Sequence, residues 1–292
     1  MSETDRTPKR VGIVGLGLIG GSFAKAYADA GIEVFAADID ERAMNAAMAE
    51  ETVAGPLDEA TIPTCELLIL AVYPQAIIEW VRSHEQFISP STLVIDCGSV
   101  KRSVCPVRFS IAERCGFGGH PMAGLQYSGY RHARADLYAG QPMVLVPPEI
   151  YDPDIILWAE EALSPAAFGS FSITTAAKHD QIIAYTSQLA HVESSAFIKS
   201  PTAQKHRGFS AGSYKDLTRV AELNADMWTE LFMDNADNLT EEIGVVITEL
   251  ERYRDALSRG DEAELHALLE QGSIAKRKAD GRYSDAREGG VR

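Results

Sequence analysis

An α/β fold, with a doubly wound parallel sheet followed by an all-helical second part, is what this 292-residue sequence predicts. Three observations carry the expectation. An apolar run over residues 11–14 leads into Gly15, Gly17 and Gly20, the G-x-G-x-x-G spacing that turns a strand into a helix beneath a dinucleotide pyrophosphate. Short apolar runs then alternate with helix-forming stretches as far as about residue 175. Beyond that point the strand signal stops and Ala, Leu, Glu, Asp and Arg dominate. Together these predict a Rossmann-type doubly wound nucleotide-binding domain over residues 1–175 and an all-α helical domain over 176–292.

The three glycines do different things. The first permits the tight turn, the second lets backbone approach the phosphates, and the third lets helix pack closely on strand. The exposed N–H groups and positive end of that helix attract the anion, so Leu18 and Ile19 join the glycines in the expected cofactor site. Residues 23–30 favour helix, Gly31 ends it, and residues 33–37 form a second strand ending at Asp38, eighteen residues beyond Gly20. A carboxylate there accepts hydrogen bonds from the ribose hydroxyls and repels a 2′-phosphate. NAD is therefore favoured over NADP, a preference that Arg42 weakens without overturning.

Residues 41–50 read as helix and 67–72 as a buried strand, whose final Val72 falls at the cofactor edge. Pro74 starts a helix reaching about Phe87, and residues 93–96 form a strand leading to Cys97-Gly98-Ser99. Further strands are predicted over 117–119, 142–146 and 170–174, with a helix over 154–163. Right-handed crossovers place the strand ends and their loops along one edge. Helices are predicted over 176–200, 214–257 and 261–278, broken near Ser200-Pro201, Gly208 to Gly212 and Gly260. Leu231, Phe232, Ile243, Val246, Ile247 and Leu250 suit packing between subunits, which predicts a homodimer, and suit an intrachain core as well. The tail from about 279 has the charged, glycine-containing composition of a disordered segment.

Composition narrows the function classes. With 46% hydrophobic and 24% charged residues the chain is ordinary for a globular protein, and its formal charge of −15 argues against nucleic acid or an anionic membrane as partner. Lys9 and Arg10 before an uncharged run imitate a secretory signal, but five glycines interrupt that run, and no stretch approaches the roughly 20 apolar residues of a membrane span. Cys65, Cys97, Cys105 and Cys115 form no C-x-x-C pair, so no metal site is expected, and reduced thiols in a cytoplasmic protein are the default.

Polar groups that meet a nicotinamide must come from loops at the strand ends. Gly98-Ser99-Val100-Lys101 is one such loop, and the stretch from Gly118 through His120 to Gly124 is another. His120 reads either as a general base, since imidazole titrates near neutrality, or as a loop histidine bonded to backbone. Arg219 lies three residues after Asp216, so the two share a helical face and suit an ion pair; facing a cleft, the arginine would instead bind a carboxylate through its planar fork. His179, Ser187 and His191 fall roughly on one helical face, which suits a cleft wall or a satisfied core equally.

From Val11 to about Leu250 the chain resembles the prephenate and arogenate dehydrogenases of tyrosine biosynthesis. The residues that carry the likeness are GLGLIGGS, the GSVK loop, GGHPMAG, His179-Asp180 with Ser187 and His191, and DLTRVA from Asp216. The resemblance implies oxidative decarboxylation of a cyclohexadienol with NAD: hydride leaves the carbon bearing the hydroxyl, and carbon dioxide leaves the opposite ring carbon. His120 resembles the residue that deprotonates the hydroxyl, and Ser99 the serine that orients this histidine and the nicotinamide. Arg219 resembles the arginine that binds substrate carboxylate, Asp216 the acid that positions it, and Ser187 and His191 polar groups near the substrate side chain. Two positions depart from the family pattern. Members often read Ser-His-Leu-Pro-His where this chain has Ser187-Gln188-Leu189-Ala190-His191, and many carry an acid where it has Gln126. Prephenate dehydrogenase is the leading expectation, arogenate dehydrogenase its neighbour. A non-catalytic dinucleotide-sensing protein is the rival from another class, and it leaves the match at His120 and Arg219 without a reason.

Overall fold

The computed structural model describes residues 6–108, 116–125, 127–148 and 153–282. Cys115, Gln126 and the tail beyond 282 therefore lie outside the described residues. The strands are β1 (Arg10–Val14), β2 (Glu33–Ala37), β3 (Gly55–Pro56), β4 (Leu67–Leu70), β5 (Leu93–Asp96), β6 (Gly116–Pro121), β7 (Pro142–Val146) and β8 (Ser170–Ile173). They form one sheet in the order β3-β2-β1-β4-β5-β6-β7-β8. Every pairing is parallel except β6 with β7.

Central β4 and β5 are buried throughout, the signature of a parallel sheet covered on both faces. Their alternate residues serve two cores. Val11, Ile13, Leu67, Ile69 and Ile95 pack with Phe23 and Tyr27 of α1 (Leu18–Asp29) and Ala159 of α5 (Pro153–Ala162). Leu68, Leu70 and Val94 pack with Ile77 and Val81 of α3 (Pro74–His84).

Two expectations need correction. The stretch carrying His120 is strand rather than loop, because β6 runs to Pro121 and His120 pairs with Val144. A parallel return would need a helix-scale crossover, and the described residues between β6 and β7 contain only a short 3₁₀ turn, Tyr130–His132. The glycines of β6 hide its strand character from a propensity reading. The helix expected over 214–257 is instead three: α8 (Gly212–Thr218), α9 (Ala225–Met233) and α10 (Ala236–Arg259). Asn224 caps α9 through the Met227 amide, and Asn235, fully buried before α10, spends its amide group on the Asp180 carbonyl and Gln188 Oε1, both at 2.8 Å.

The remaining helices are α2 (Glu41–Ala49), α4 (Cys105–Arg108), α6 (Ala176–Ile183), α7 (Ala190–Phe197) and α11 (Glu262–Ala279). A π-helical turn, Ala184–Leu189, joins α6 to α7. The chain divides into two compact units between Leu239 and Thr240. The first holds the sheet and the helices through α9; in the second, Arg252 reaches Glu249, Glu264 and Gln271, and Ala256 and Leu268 are buried. Leu231 is buried, Phe232, Ile243 and Val246 are half-buried, and Ile247 and Leu250 stand 51% and 62% exposed. Cys65, Cys97 and Cys105 form no disulfide among the described residues. Among the described residues no helix is long and apolar enough to cross a membrane.

Candidate functional site

Strand register assembles the cofactor edge. Val14 pairs with Ala37 and Leu70, Leu70 with Asp96, and Asp96 with Gly118. Asp38, Gly15, Ala71 and Cys97 therefore follow one another along a single edge, beyond the ends of four adjacent strands, and Gly119 of β6 stands next in line. Gly15 has φ +90°, and its amide donates to the Ala37 carbonyl at 2.8 Å. A Cβ on Gly15 would sit 2.6 Å from the Ala71 carbonyl oxygen, and one on Gly20 only 1.8 Å from that of Gly15. Gly17, which caps α1, is different: a Cβ there meets nothing within 4 Å. The protein's own packing demands the first and third glycines, and the open space before the second fits a phosphate group against the helix N-terminus. Leu18 and Ile19 form the first turn of α1, and Val72 lies half-buried after β4. The Asp38 carboxylate accepts from the amides of Leu16 and Asp40 and keeps part of its surface exposed, as a ribose acceptor must.

Beside this edge lies a chain of buried polar groups. Asp96 and Lys101, both fully buried, form an ion pair, and Asp96 also accepts from the Gly98 amide at 3.1 Å. This pair braces the turn that presents Ser99, whose side chain is half-buried and makes no hydrogen bond to a described residue. At the start of the next segment Asp180 Oδ1 accepts from the Lys101 amide at 2.8 Å and Oδ2 from the Arg102 amide at 2.9 Å. Oδ1 also meets His179 Nδ1 at 2.7 Å, and His179 Nε2 meets His120 Nδ1 at 2.9 Å. His179 is thus the hydrogen-bond partner of the His120 ring. Arg102 continues outward to Asn235 at 3.0 Å and to Asp237 at 2.7 Å.

Electrostatics follow from burial. Desolvation, reinforced by His179 and the Lys101 charge, holds the His120 pKa well below the usual imidazole value. Desolvation also lowers His179, although Asp180 pulls the other way. For Asp180, burial alone would raise the pKa; hydrogen bonds from His179 and the Arg102 and Lys101 amides outweigh it and keep the group a carboxylate. Two neutral imidazoles therefore stand in line with one anion at neutral pH.

In the helical region Ser187 sits on the π-helical turn, a feature frequent at functional sites. His191 Nδ1 donates to the Ser187 carbonyl at 2.8 Å, and its ring lies 4.1 Å from that of Trp228. Gln188 is buried, donating to the Leu231 carbonyl and accepting from Asn235, both at 2.8 Å, so its amide serves the core rather than a cleft. Ser194 donates to the Leu217 carbonyl at 2.7 Å and so ties α7 to α8. Asp216 and Arg219 are exposed and form no ion pair with each other or with another described residue. A sequence reading misses the buried Asp96–Lys101 pair, Asn235 and the work of Asp180. Its one available signal for Lys101 is the position of a lysine five residues beyond a buried strand's terminal acid.

Comparison with known proteins identifies two matches along the chain. Residues 23–166 match the prephenate dehydrogenase nucleotide-binding domain, and residues 175–271 the prephenate dehydrogenase dimerization domain. The cyclohexadienyl dehydrogenase of Zymomonas mobilis is 27% identical over 267 residues, covering 87% of this chain and 90% of its own. The prephenate dehydrogenase of Lactococcus lactis is 26% identical, covering 90% and 75%. Among solved structures, A. aeolicus prephenate dehydrogenase in complex with hydroxyphenyl propionate and NAD+ superposes with a TM-score of 0.81 at 25% identity, over 93% of this chain and 98% of that one. Synechocystis arogenate dehydrogenase gives 0.78 at 26% identity, over 92% and 99%.

Proposed function

The chain belongs to the prephenate dehydrogenase family, and from that premise we propose that it converts prephenate to 4-hydroxyphenylpyruvate in tyrosine biosynthesis, with NAD as cofactor. One observation carries the proposal: the strand register brings the glycine turn, Asp38, the Ser99 turn and His120 to the same sheet edge, where a dinucleotide lies in this architecture.

NAD, when bound, supplies the hydride acceptor. Gly15, Gly17, Leu18, Ile19 and Gly20 receive its pyrophosphate, Asp38 its adenosine ribose, and Val72 and Ser99 its nicotinamide half. His120 takes the proton of the ring hydroxyl as hydride leaves the same carbon. Carbon dioxide then departs from the opposite ring carbon, its bonding pair aromatises the ring, and the new phenolic oxygen takes the proton back from His120. Arg219, which pairs with neither Asp216 nor another described residue, grips a substrate carboxylate through its fork, with Ser187 and His191 beside the side chain. We place the boundary between nucleotide and helical domains at 175/176, and assign the exposed Ile247 and Leu250 to a homodimer interface. Cysteines without a disulfide among the described residues support a cytoplasmic setting.

The test is NADH formation when the protein meets NAD with prephenate and, separately, with arogenate. Prephenate turnover is expected; turnover of arogenate alone would move the assignment to the amino-bearing substrate, and silence with both would overturn it. His120→Asn should retain NAD binding and lose about 10²-fold or more in kcat.

A further inference from the structure

Asp180 and His179 lie outside the roles assigned above, yet both are buried and they form an unbroken hydrogen-bonded line to His120. The backbone amides of Lys101 and Arg102 donate to the two oxygens of Asp180, so this carboxylate can only accept. The proton in the 2.7 Å contact therefore sits on His179 Nδ1. A neutral imidazole with Nδ1 protonated carries its lone pair on Nε2, so the proton in the 2.9 Å contact sits on His120 Nδ1. That leaves Nε2 of His120 unprotonated, with no hydrogen bond to a described residue, as a base requires.

We propose that Asp180 and His179 form a two-step relay of positioning residues that fixes His120 as the Nδ1-protonated tautomer, with Nε2 as its basic nitrogen. The proposal rests on the reading of His120 as the base and says how that base is held. When His120 Nε2 takes the hydroxyl proton, the ring becomes an imidazolium whose Nδ1–H already points at a neutral acceptor, with the Asp180 carboxylate beyond it. The groups around the relay are the Lys101 ammonium, which disfavours charge on either imidazole, the Asp96 carboxylate that pairs with it, and the Arg102 guanidinium, 3.4 Å from Asp180 Oδ2. None of these replaces His179 as the acceptor for His120 Nδ1.

Asp180→Asn is the sharpest variant. An asparagine whose single oxygen stays in the place of Oδ2, accepting from the Arg102 amide and facing its guanidinium, gives up the Lys101 amide and turns its NH2 toward His179 Nδ1. His179 must then carry its proton on Nε2, and His120 in turn on its reactive nitrogen. Expected with the substrate the unaltered enzyme turns over are a kcat fall of roughly 10²-fold or more, with KM and NAD affinity held within about twofold. His179→Phe should fall comparably, and His179→Gln, which returns an acceptor oxygen near the lost Nε2, should recover at least about tenfold of that loss. Ring ¹⁵N resonances of the unaltered enzyme should report an unprotonated Nε2 on His120, and those of Asp180→Asn a protonated one. A native Nε2 that carries the proton, or a His179→Phe enzyme with native kcat and pH profile, would overturn the relay. If Asp180→Asn fails to fold, the native resonances and the two His179 variants still decide. Loss of the base assignment reads differently: His120→Asn would then retain turnover whatever tautomer the resonances report.

Discussion

Individual residues divide into those that act by charge and those that act by holding another group. Asp38 is of the first kind: Asp38→Ala should weaken NAD binding and relax discrimination against NADP, measured as the two dissociation constants. Equal use of both cofactors by the unaltered enzyme would refute its role at the ribose. Lys101 is of the second kind. Lys101→Met removes half of a fully buried ion pair and leaves the buried Asp96 carboxylate without that counter-charge, and should cost about 3–5 kcal/mol in a urea unfolding experiment. The sign of the pH response follows from the histidines. Both His120 and His179 have pKa values depressed below the 6.5 of a free imidazole, so the unfolded chain binds protons that the folded one does not. Their share of stability is complete above that value and shrinks as pH falls below it. The acid limb of kcat, set by loss of the neutral base, should likewise lie below 6.5. A limb above that value would contradict the neutral state of half-buried His120.

Elements show where local signals suffice and where they mislead. The turn from β1 to α1 is legible from Gly15 and Gly20, because backbone contacts of 2.6 and 1.8 Å to an added Cβ leave only glycine possible. Gly17 separates function from folding within the same motif. Gly17→Ala meets no protein atom within 4 Å, so the thermal midpoint should hold while the dissociation constant for NAD rises about tenfold or more, some 1.4 kcal/mol. Gly20→Ala should lower both stability and cofactor affinity. β6 shows the opposite case, since its strand character comes from pairing with β5 and β7 and its glycines carry no strand preference. The breaks near Arg219 and Asn235 are equally hidden, because an asparagine reads as a neutral helix residue until its amide is seen spent on Asp180 and Gln188.

At the scale of the whole molecule, the proposed homodimer interface is tested on the apolar residues of α10. Ile247 and Leu250, one helical turn apart, are more than half exposed, and a double change to Asp should convert a dimer to a monomer in sedimentation equilibrium without unfolding the nucleotide domain. A dimer that survives the change would place the interface elsewhere.

Fold class, cofactor edge and family were legible in the chain itself, because strand alternation, glycine spacing and the GGHPMAG and DLTRVA stretches are local patterns with local physical causes. Tertiary structure alone decided that His120 stands on a strand, that Gln188 is turned inward, and that Asp180, distant from His120 along the chain, is linked to it by hydrogen bonds through His179. Sequence separation hides such a line of hydrogen bonds. Which nitrogen keeps its proton depends on partners that only folding brings within hydrogen-bonding reach, 2.7 Å at Asp180 and 2.9 Å at His120.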